Sequence, residues 1–422
     1  MRTERLYYAD SHLTEFEARV TSVAAASAGR SVVTLDRTAF YPTGGGQPTD
    51  TGALGGARVV ECVEAEDSGV LHFVEGEAPE VGASVRGRVD WARRLDHMQQ
   101  HTGQHILSQA FVELFGAQTR SFRMTADASE IDVDLAAPSD ERVERAVGRA
   151  NEIVWDDRVV RVHNVTPEEA AAMPLRKDAA REGELRVIEI EGFDFSPCGG
   201  THARRTGEVG LVAARQWERA RGFVRVTFVA GGRALEDYRR ANRTARAVAS
   251  LFSVGRDEAA EGAARLQEEN KLLGRRLRAA EELAARAEAR ELLEEARGGA
   301  TEAVGGEAAR EAYGETAKAE GGVAVVARVF EGRDAESLRR LAAALAAHGR
   351  VVALLGSREE AGARLVFARS SDTGADMNAL MREACLLLGG RGGGRPDMAQ
   401  GGGPRVERLS EAIEAAARGV KG

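Results

Sequence analysis

The sequence predicts a multidomain α+β protein, and three observations carry that expectation. Short alternating strands fill the first 90 residues, helical periodicity begins at Trp91, and strand–helix alternation returns near the C-terminus after a proline-free helical stretch. At 422 residues the chain exceeds one ordinary core and suits about three domains. A hydrophobic content of 43% with 29% charge is that of a globular protein. Apolar runs stay shorter than the roughly 18 residues of a membrane span, and the charged start MRTERLYYAD lacks a signal-peptide core. The expected compartment is therefore the cytoplasm, with no membrane contact. Cys62, Cys198 and Cys385 are far apart and odd in number, which argues against a disulfide framework.

Residues 1–90 read as a small β-barrel with strands near 16–20, 31–35, 58–62, 70–74 and 84–89, separated by Gly, Asp and Pro turns. Between them lies FYPTGGGQPTD, residues 40–50, too rich in glycine for a regular element. Its backbone amides, with the Gln47 side chain, can approach a phosphate or a ribose, although a glycine run between strands also serves as a plain turn.

Residues 91–232 read as an α+β domain. Helix 93–116 is followed by strand 130–135 and by helix 139–155, opened by Ser139 with Arg142 where a capping-box acid would stand. Strands 159–165, 185–190, 209–214 and 223–229 follow, with a short helix near Pro167–Ala172. His72 and His163 fall in strand patterns and are expected to be structural.

Residues 233–297 are dense in Ala, Leu, Arg and Glu. Leu266, Asn270, Leu273, Leu277, Ala280, Ala284 and Ala287 keep the 4-3-4-3 spacing of a helix-pair seam, which an internal hairpin and an intermolecular coil both satisfy. The stretch from Gly298 to Gly322 reads as a linker, and 315–422 as a C-terminal α/β domain. Its GGRGGGRPDMAQGGG, residues 389–403, reads as a loop that presents amides and Arg391 or Arg395 to phosphates, or as a flexible structural loop.

Two short motifs gather metal-ligand side chains. In His101-Thr-Gly-Gln-His105 the flanking apolar residues recur at helical spacing, so the histidines fall at i and i+4 on one face. In Cys198-Gly-Gly-Thr-His202 the preceding Pro197 and the glycine pair forbid a regular element and favour a tight loop. Three imidazoles and a thiolate suit one Zn²⁺ per chain better than magnesium or calcium, which prefer oxygen. The net charge of −8 argues against indiscriminate coating of nucleic acid. It leaves room for local basic patches: nine arginines, Arg225 and Arg233 among them, lie between Arg215 and Arg246 against three acidic residues.

Taken in order, FYPTGGGQPTDTG, HTGQHIL, SPCGGTH, Gly222–Gly231 and GGRGGGRPDMAQGGG closely resemble the long-form alanyl-tRNA editing proteins, the AlaX group. That group is similar to the editing and C-terminal parts of alanyl-tRNA synthetase freed from the aminoacylation domain. Its last segment resembles the DHH-associated domain. Threonyl enzymes carry a similar histidine and cysteine pair, but the glycine-rich loop and the C-terminal domain favour the alanyl branch.

The resemblance implies ATP-independent hydrolysis of the ester joining serine, or glycine, to tRNA(Ala). It assigns His101, His105, Cys198 and His202 to zinc, and Gly45, Gly46 and Gln47 to the editing pocket. Thr119 or Ser121 stands where the family places a residue that touches the amino acid. Arg225, Arg233, Arg391 and Arg395 are candidates for tRNA contact, and the helical or C-terminal domain for homodimerisation. Zinc in such a site can activate water, polarise the ester carbonyl or orient the substrate. The rival readings are a non-catalytic tRNA-binding module with structural zinc, and a phosphoesterase. The second lacks the aspartate–histidine clusters it needs, since Asp96-His97 is the only such pair.

Overall fold

The computed structural model describes residues 3–66, 69–176, 185–298 and 322–420. The chain divides into two compact units, Met1–Asp257 and Glu258–Gly422. The boundary runs through the helical stretch expected over 233–297, which is two helices, Gly231–Leu251 and Ala259–Gly298. The expected linker lies largely outside the described residues. Among those described, no helix is long and apolar enough to cross a membrane.

The first unit opens with a closed six-stranded barrel in the order Glu15–Ala25, Ser31–Leu35, Val70–Glu75, Ala57–Glu64, Gly52–Leu54 and Ser84–Val89. Five strands are those the alternation predicts, and Gly52–Leu54 closes the ring. Strand alternation turns Phe16, Ala18, Val20, Val33, Val59, Val74 and Val85 inward. His72 joins this core, with Nε2 at 2.8 Å from Thr38 Oγ1 and Nδ1 at 3.0 Å from the Val33 carbonyl. The structural reading of His72 therefore holds.

A four-stranded antiparallel sheet follows, ordered Val212–Ala220, Phe223–Ala230, Ser129–Val133 and Thr119–Met124. Helices Trp91–Phe115 and Asp140–Trp155 pack their apolar faces on it, burying Ile106, Leu107, Phe111, Val143 and Ile153 among Ile131, Val226 and Phe228. Asp90 caps the first helix by accepting from Arg93 N, and Gly116 ends it at φ 64° in the left-handed region. Ser139 caps the second, and Arg142, instead of completing a capping box, donates to the Ala136 carbonyl. A three-stranded sheet, Val160–Val165, Leu185–Ile190 and Asp194–Pro197, carries the second motif at its end. His163 sits on it, paired with Glu189 at 2.7 Å.

The second unit holds a five-stranded sheet ordered Ala324–Glu331, Val351–Glu359, Gly362–Arg369, Met398–Gly403 and Arg391–Gly394. The first pair is parallel and the rest are antiparallel. One expectation needs correction here. The glycine-rich stretch is a β-hairpin at the sheet edge and not an irregular loop. Its glycines clear the helix Met377–Leu387, because a Cβ on Gly392 or Gly401 would lie 2.7 or 2.5 Å from Cys385 Sγ. The seam expected on Ala259–Gly298 is exposed at all seven positions in this single chain, which speaks against the internal hairpin and is what an intermolecular coil requires. The buried line of that helix is Ala285, Ala289, Leu292, Leu293 and Ala296, the last four packed on Leu338, Leu341 and Leu345.

Candidate metal centre

Folding brings the two motifs together. The ligand atoms of His101, His105, Cys198 and His202 all lie within 4.8 Å of one another. Cys198 Sγ is 3.3 Å from both His101 Nε2 and His202 Nε2. A tetrahedron with Zn–N of about 2.0 Å and Zn–S of about 2.3 Å has N···S edges of roughly 3.5 Å, which the two Cys198–histidine separations match. The three histidines are only 2–3% exposed, and Cys198 is half-buried.

Each imidazole is oriented by a partner on its other nitrogen. His101 Nδ1 donates to Gln47 Oε1 at 2.8 Å, His105 Nδ1 to Asp194 Oδ2 at 3.1 Å, and His202 Nδ1 approaches Thr102 Oγ1 at 3.4 Å. All three Nε2 atoms are thereby left for the centre. Gln47 is held in turn, its Nε2 donating to Thr201 Oγ1 at 2.8 Å and its Oε1 accepting from Thr201 N at 3.2 Å. Asp194 is fixed by Ser196 and by Arg176 Nε at 2.8 Å.

The ligand loop is clamped from outside. Arg186 Nη1 donates to the Cys198 carbonyl at 2.7 Å and the Gly200 carbonyl at 2.9 Å. Gly200 is obligatory, since a Cβ there would fall 2.1 Å from the His101 ring. At the opposite side, Arg94 and Asp50, both fully buried, form an ion pair that ties the glycine-rich loop to the histidine helix. Tyr41 N donates to the same carboxylate at 2.7 Å, and Arg94 Nη2 to the Ala39 carbonyl at 2.6 Å.

The electrostatics match a metal site. Burial alone would raise the Cys198 thiol, yet the His101 and His202 imidazoles hold it well below its ordinary value. Burial pushes His202 down to about 3, which keeps it neutral and able to coordinate. Burial also opposes protonation of His105, but its bond to Asp194 outweighs that and raises it.

The other residues singled out in the sequence sit as follows. Gly45 and Gly46 are exposed beside the centre. Gly46, at φ 80°, accepts from Met124 N at 2.9 Å and leaves no room for a Cβ against the Phe122 carbonyl, 2.4 Å away. The Phe122 ring in turn packs on His101, centroid to centroid 5.2 Å. Thr119 is buried and donates to Ser108 Oγ at 2.8 Å, which also accepts from Gln104 at 2.7 Å. Ser121 is exposed and donates to Asp132 at 2.7 Å. Arg225 chelates Asp132 and Arg233 chelates Asp96, each through two bonds. Arg391 is exposed, and Arg395 pairs with Asp397 at 3.2 Å. The sequence reading missed Thr102, Asp194 and Arg186, whose roles arise only once distant segments meet.

Comparison with known proteins agrees with this architecture. Three family models match: tRNA synthetases class II (A) over residues 2–93, the threonyl and alanyl tRNA synthetase second additional domain over 185–227, and the DHHA1 domain over 321–422. An alanine–tRNA ligase of Natronomonas pharaonis is 37% identical over 98% of this chain and 43% of its own length. The alanyl-tRNA editing protein AlaX-L of Pyrococcus horikoshii is 36% identical over 55% of this chain and 59% of its own length. The C-Ala domain of Aquifex aeolicus alanyl-tRNA synthetase, 28% identical, covers 26% of this chain and is itself 98% covered, with a TM-score of 0.24, too low to carry a fold argument. The chain thus spans less than half of the first of these relatives and about three-fifths of the second. Over these stretches the chain is similar to an alanyl-tRNA editing protein and to alanine–tRNA ligases.

Proposed function

We propose that the chain is a trans-acting aminoacyl-tRNA deacylase that hydrolyses the ester of serine, with glycine as a second candidate, on tRNA(Ala). The observation that carries this reading is the buried three-histidine, one-thiolate cluster beside an exposed glycine-rich loop, in a chain similar to an alanyl-tRNA editing protein. An aminoacyl ester is already activated, so its hydrolysis chiefly needs a positioned water and a stabilised oxyanion. A zinc ion held by His101, His105, Cys198 and His202 would supply Lewis-acid or substrate-orienting chemistry there.

The chain's own residues supply position. Gln47, Asp194 and Thr102 fix the imidazoles, and the Gly45–Gly46 backbone forms the open wall at which the tRNA end enters. Selectivity suits such a site. An apolar synthetase pocket rejects an added hydroxyl weakly, whereas a second site that hydrogen-bonds the hydroxyl discriminates strongly. Thr119 is the better placed candidate for that contact. It belongs to a buried polar group with Ser108 and Gln104, one helical turn from His105. Ser121 is the second. For tRNA contact the exposed Arg391 and Arg395 lead, with Arg225 and Arg233 available only by exchanging their carboxylates.

One observation favours the non-catalytic alternative: four protein donors complete a tetrahedron and leave no open position. Wild-type protein that binds tRNA and cleaves no ester would favour that alternative, and Cys198→Ala tests the part the centre plays in hydrolysis. If the centre acts in hydrolysis, the variant loses its metal and its activity on Ser-tRNA(Ala). Full activity in metal-depleted Cys198→Ala would refute a metal role.

A further inference from the structure

The nine arginines between 215 and 246 are not equivalent in the fold. Arg215, Arg225, Arg233, Arg239, Arg240 and Arg243 each stand within 4.0 Å of a carboxylate. Among the described residues Arg219, Arg221 and Arg246 have no such partner and all three are exposed, but Arg246 lies on the helix Gly231–Leu251, which leaves Arg219 and Arg221 standing together. They flank the tip of the hairpin formed by Val212–Ala220 and Phe223–Ala230. Beside that tip lies a groove of about 440 Å³ lined by Arg219, Phe223, Arg120 and Asp134. The half-buried Phe223 ring carries the Arg120 guanidinium at 5.9 Å on its face and Arg225 at 5.6 Å. Asp134 is occupied by Arg120, so it does not neutralise the two tip arginines.

One strand runs from the groove towards the metal centre. Arg120 and Phe122 share the strand Thr119–Met124, roughly 7 Å apart along it, and the Phe122 ring packs on His101.

We propose that this hairpin tip is the dock for the single-stranded 3′ end of the substrate RNA. Arg219 and Arg221 take backbone phosphates, and Phe223 offers its ring to an unpaired base. Free guanidinium groups beside a half-buried aromatic ring suit a single strand, because phosphates need cations and every base has a stacking face. A folded protein partner would gain nothing from two uncompensated charges unless it presented acids in register. The proposal rests on the deacylase reading for the identity of the RNA, but not for the existence of the groove.

The test is a titration of the full chain with a labelled hairpin RNA carrying a short unpaired 3′ overhang ending in CCA, at several salt concentrations. Hydrolysis of Ser-tRNA(Ala) is run on the same samples. Arg219→Ala/Arg221→Ala should weaken binding and lower the salt slope by roughly 1.4, because two phosphates of a single strand are no longer neutralised. Phe223→Ala should weaken binding about tenfold with the slope unchanged, the mark of missing base stacking. Arg240→Ala, an exposed but paired control, should bind as wild type. In the hydrolysis assay the tip variants should raise KM and leave kcat.

Wild-type affinity and slope in both tip variants overturn the groove, as does a wild-type chain that binds no RNA. Wild-type protein that binds RNA through the tip but cleaves no ester supports the groove and sinks the deacylase reading instead.

Discussion

Three residues outside the ligand set govern how well the metal centre is made: Gln47, Asp194 and Gly200. Gln47 and Asp194 fix the tautomers of His101 and His105 from buried positions. Loss of such a partner commonly costs about 10- to 100-fold in metal affinity. Gln47→Ala should therefore weaken zinc retention by about that factor in competition with a chromogenic chelator; an unchanged affinity would show that His101 needs no orienting partner. Gly200→Ala should be worse, because the added methyl meets the His101 ring and not a flexible chain end. That these four side chains belong together was legible in the sequence, since metal coordination dictates residue type and spacing, and the fold does cluster them. Their partners were not. Asp194 and Thr102 have ordinary local contexts, and Gln47 is singled out by its glycine-rich loop yet acts through an imidazole 54 residues away.

At the scale of elements, the barrel and the histidine helix are joined by the Arg94–Asp50 pair. Breaking one partner of a buried pair typically costs about 3–5 kcal/mol, and Asp50→Ala should lower the unfolding midpoint accordingly. The barrel also carries an acid-labile group. Burial holds His72 down to about 4 from an ordinary 6.5, so the folded state prefers it neutral. Its contribution is complete above pH 6.5 and is lost as pH falls towards 4, by roughly 3 kcal/mol in all. His97, held at about 4 by burial and by Arg93, works in the same window. Urea midpoints at about pH 7 and about pH 4.5 should differ less in His72→Gln than in wild type, and equal differences would exonerate His72.

Strands with clean alternation, such as Ser31–Leu35 and Ser84–Val89, could be read directly. Thr119–Met124 could not, because a bulge between Asp132 and Val133 disturbs its pattern. Nor could the hairpin of residues 391–403, whose glycines answer to Cys385 on another element. The helix Ala259–Gly298 was legible only in part. Two apolar lines run along it, and packing selects the one that meets Leu338 and Leu341, which spacing alone does not reveal.

At the scale of the whole molecule, every ligand and orienting partner lies in Met1–Asp257, which has its own cores. A chain ending at Asp257 should therefore keep its zinc and its rate on a saturating minihelix ester while binding full-length tRNA more weakly. Undiminished tRNA affinity would remove the role assigned to Glu258–Gly422.

Selective ester hydrolysis at the proposed zinc centre is tested most directly by following Ser-tRNA(Ala) and Ala-tRNA(Ala) side by side on protein of measured zinc content. With one zinc per chain, the serine ester should disappear while the alanine ester persists. Persistence of both esters on fully zinc-loaded protein would contradict the account.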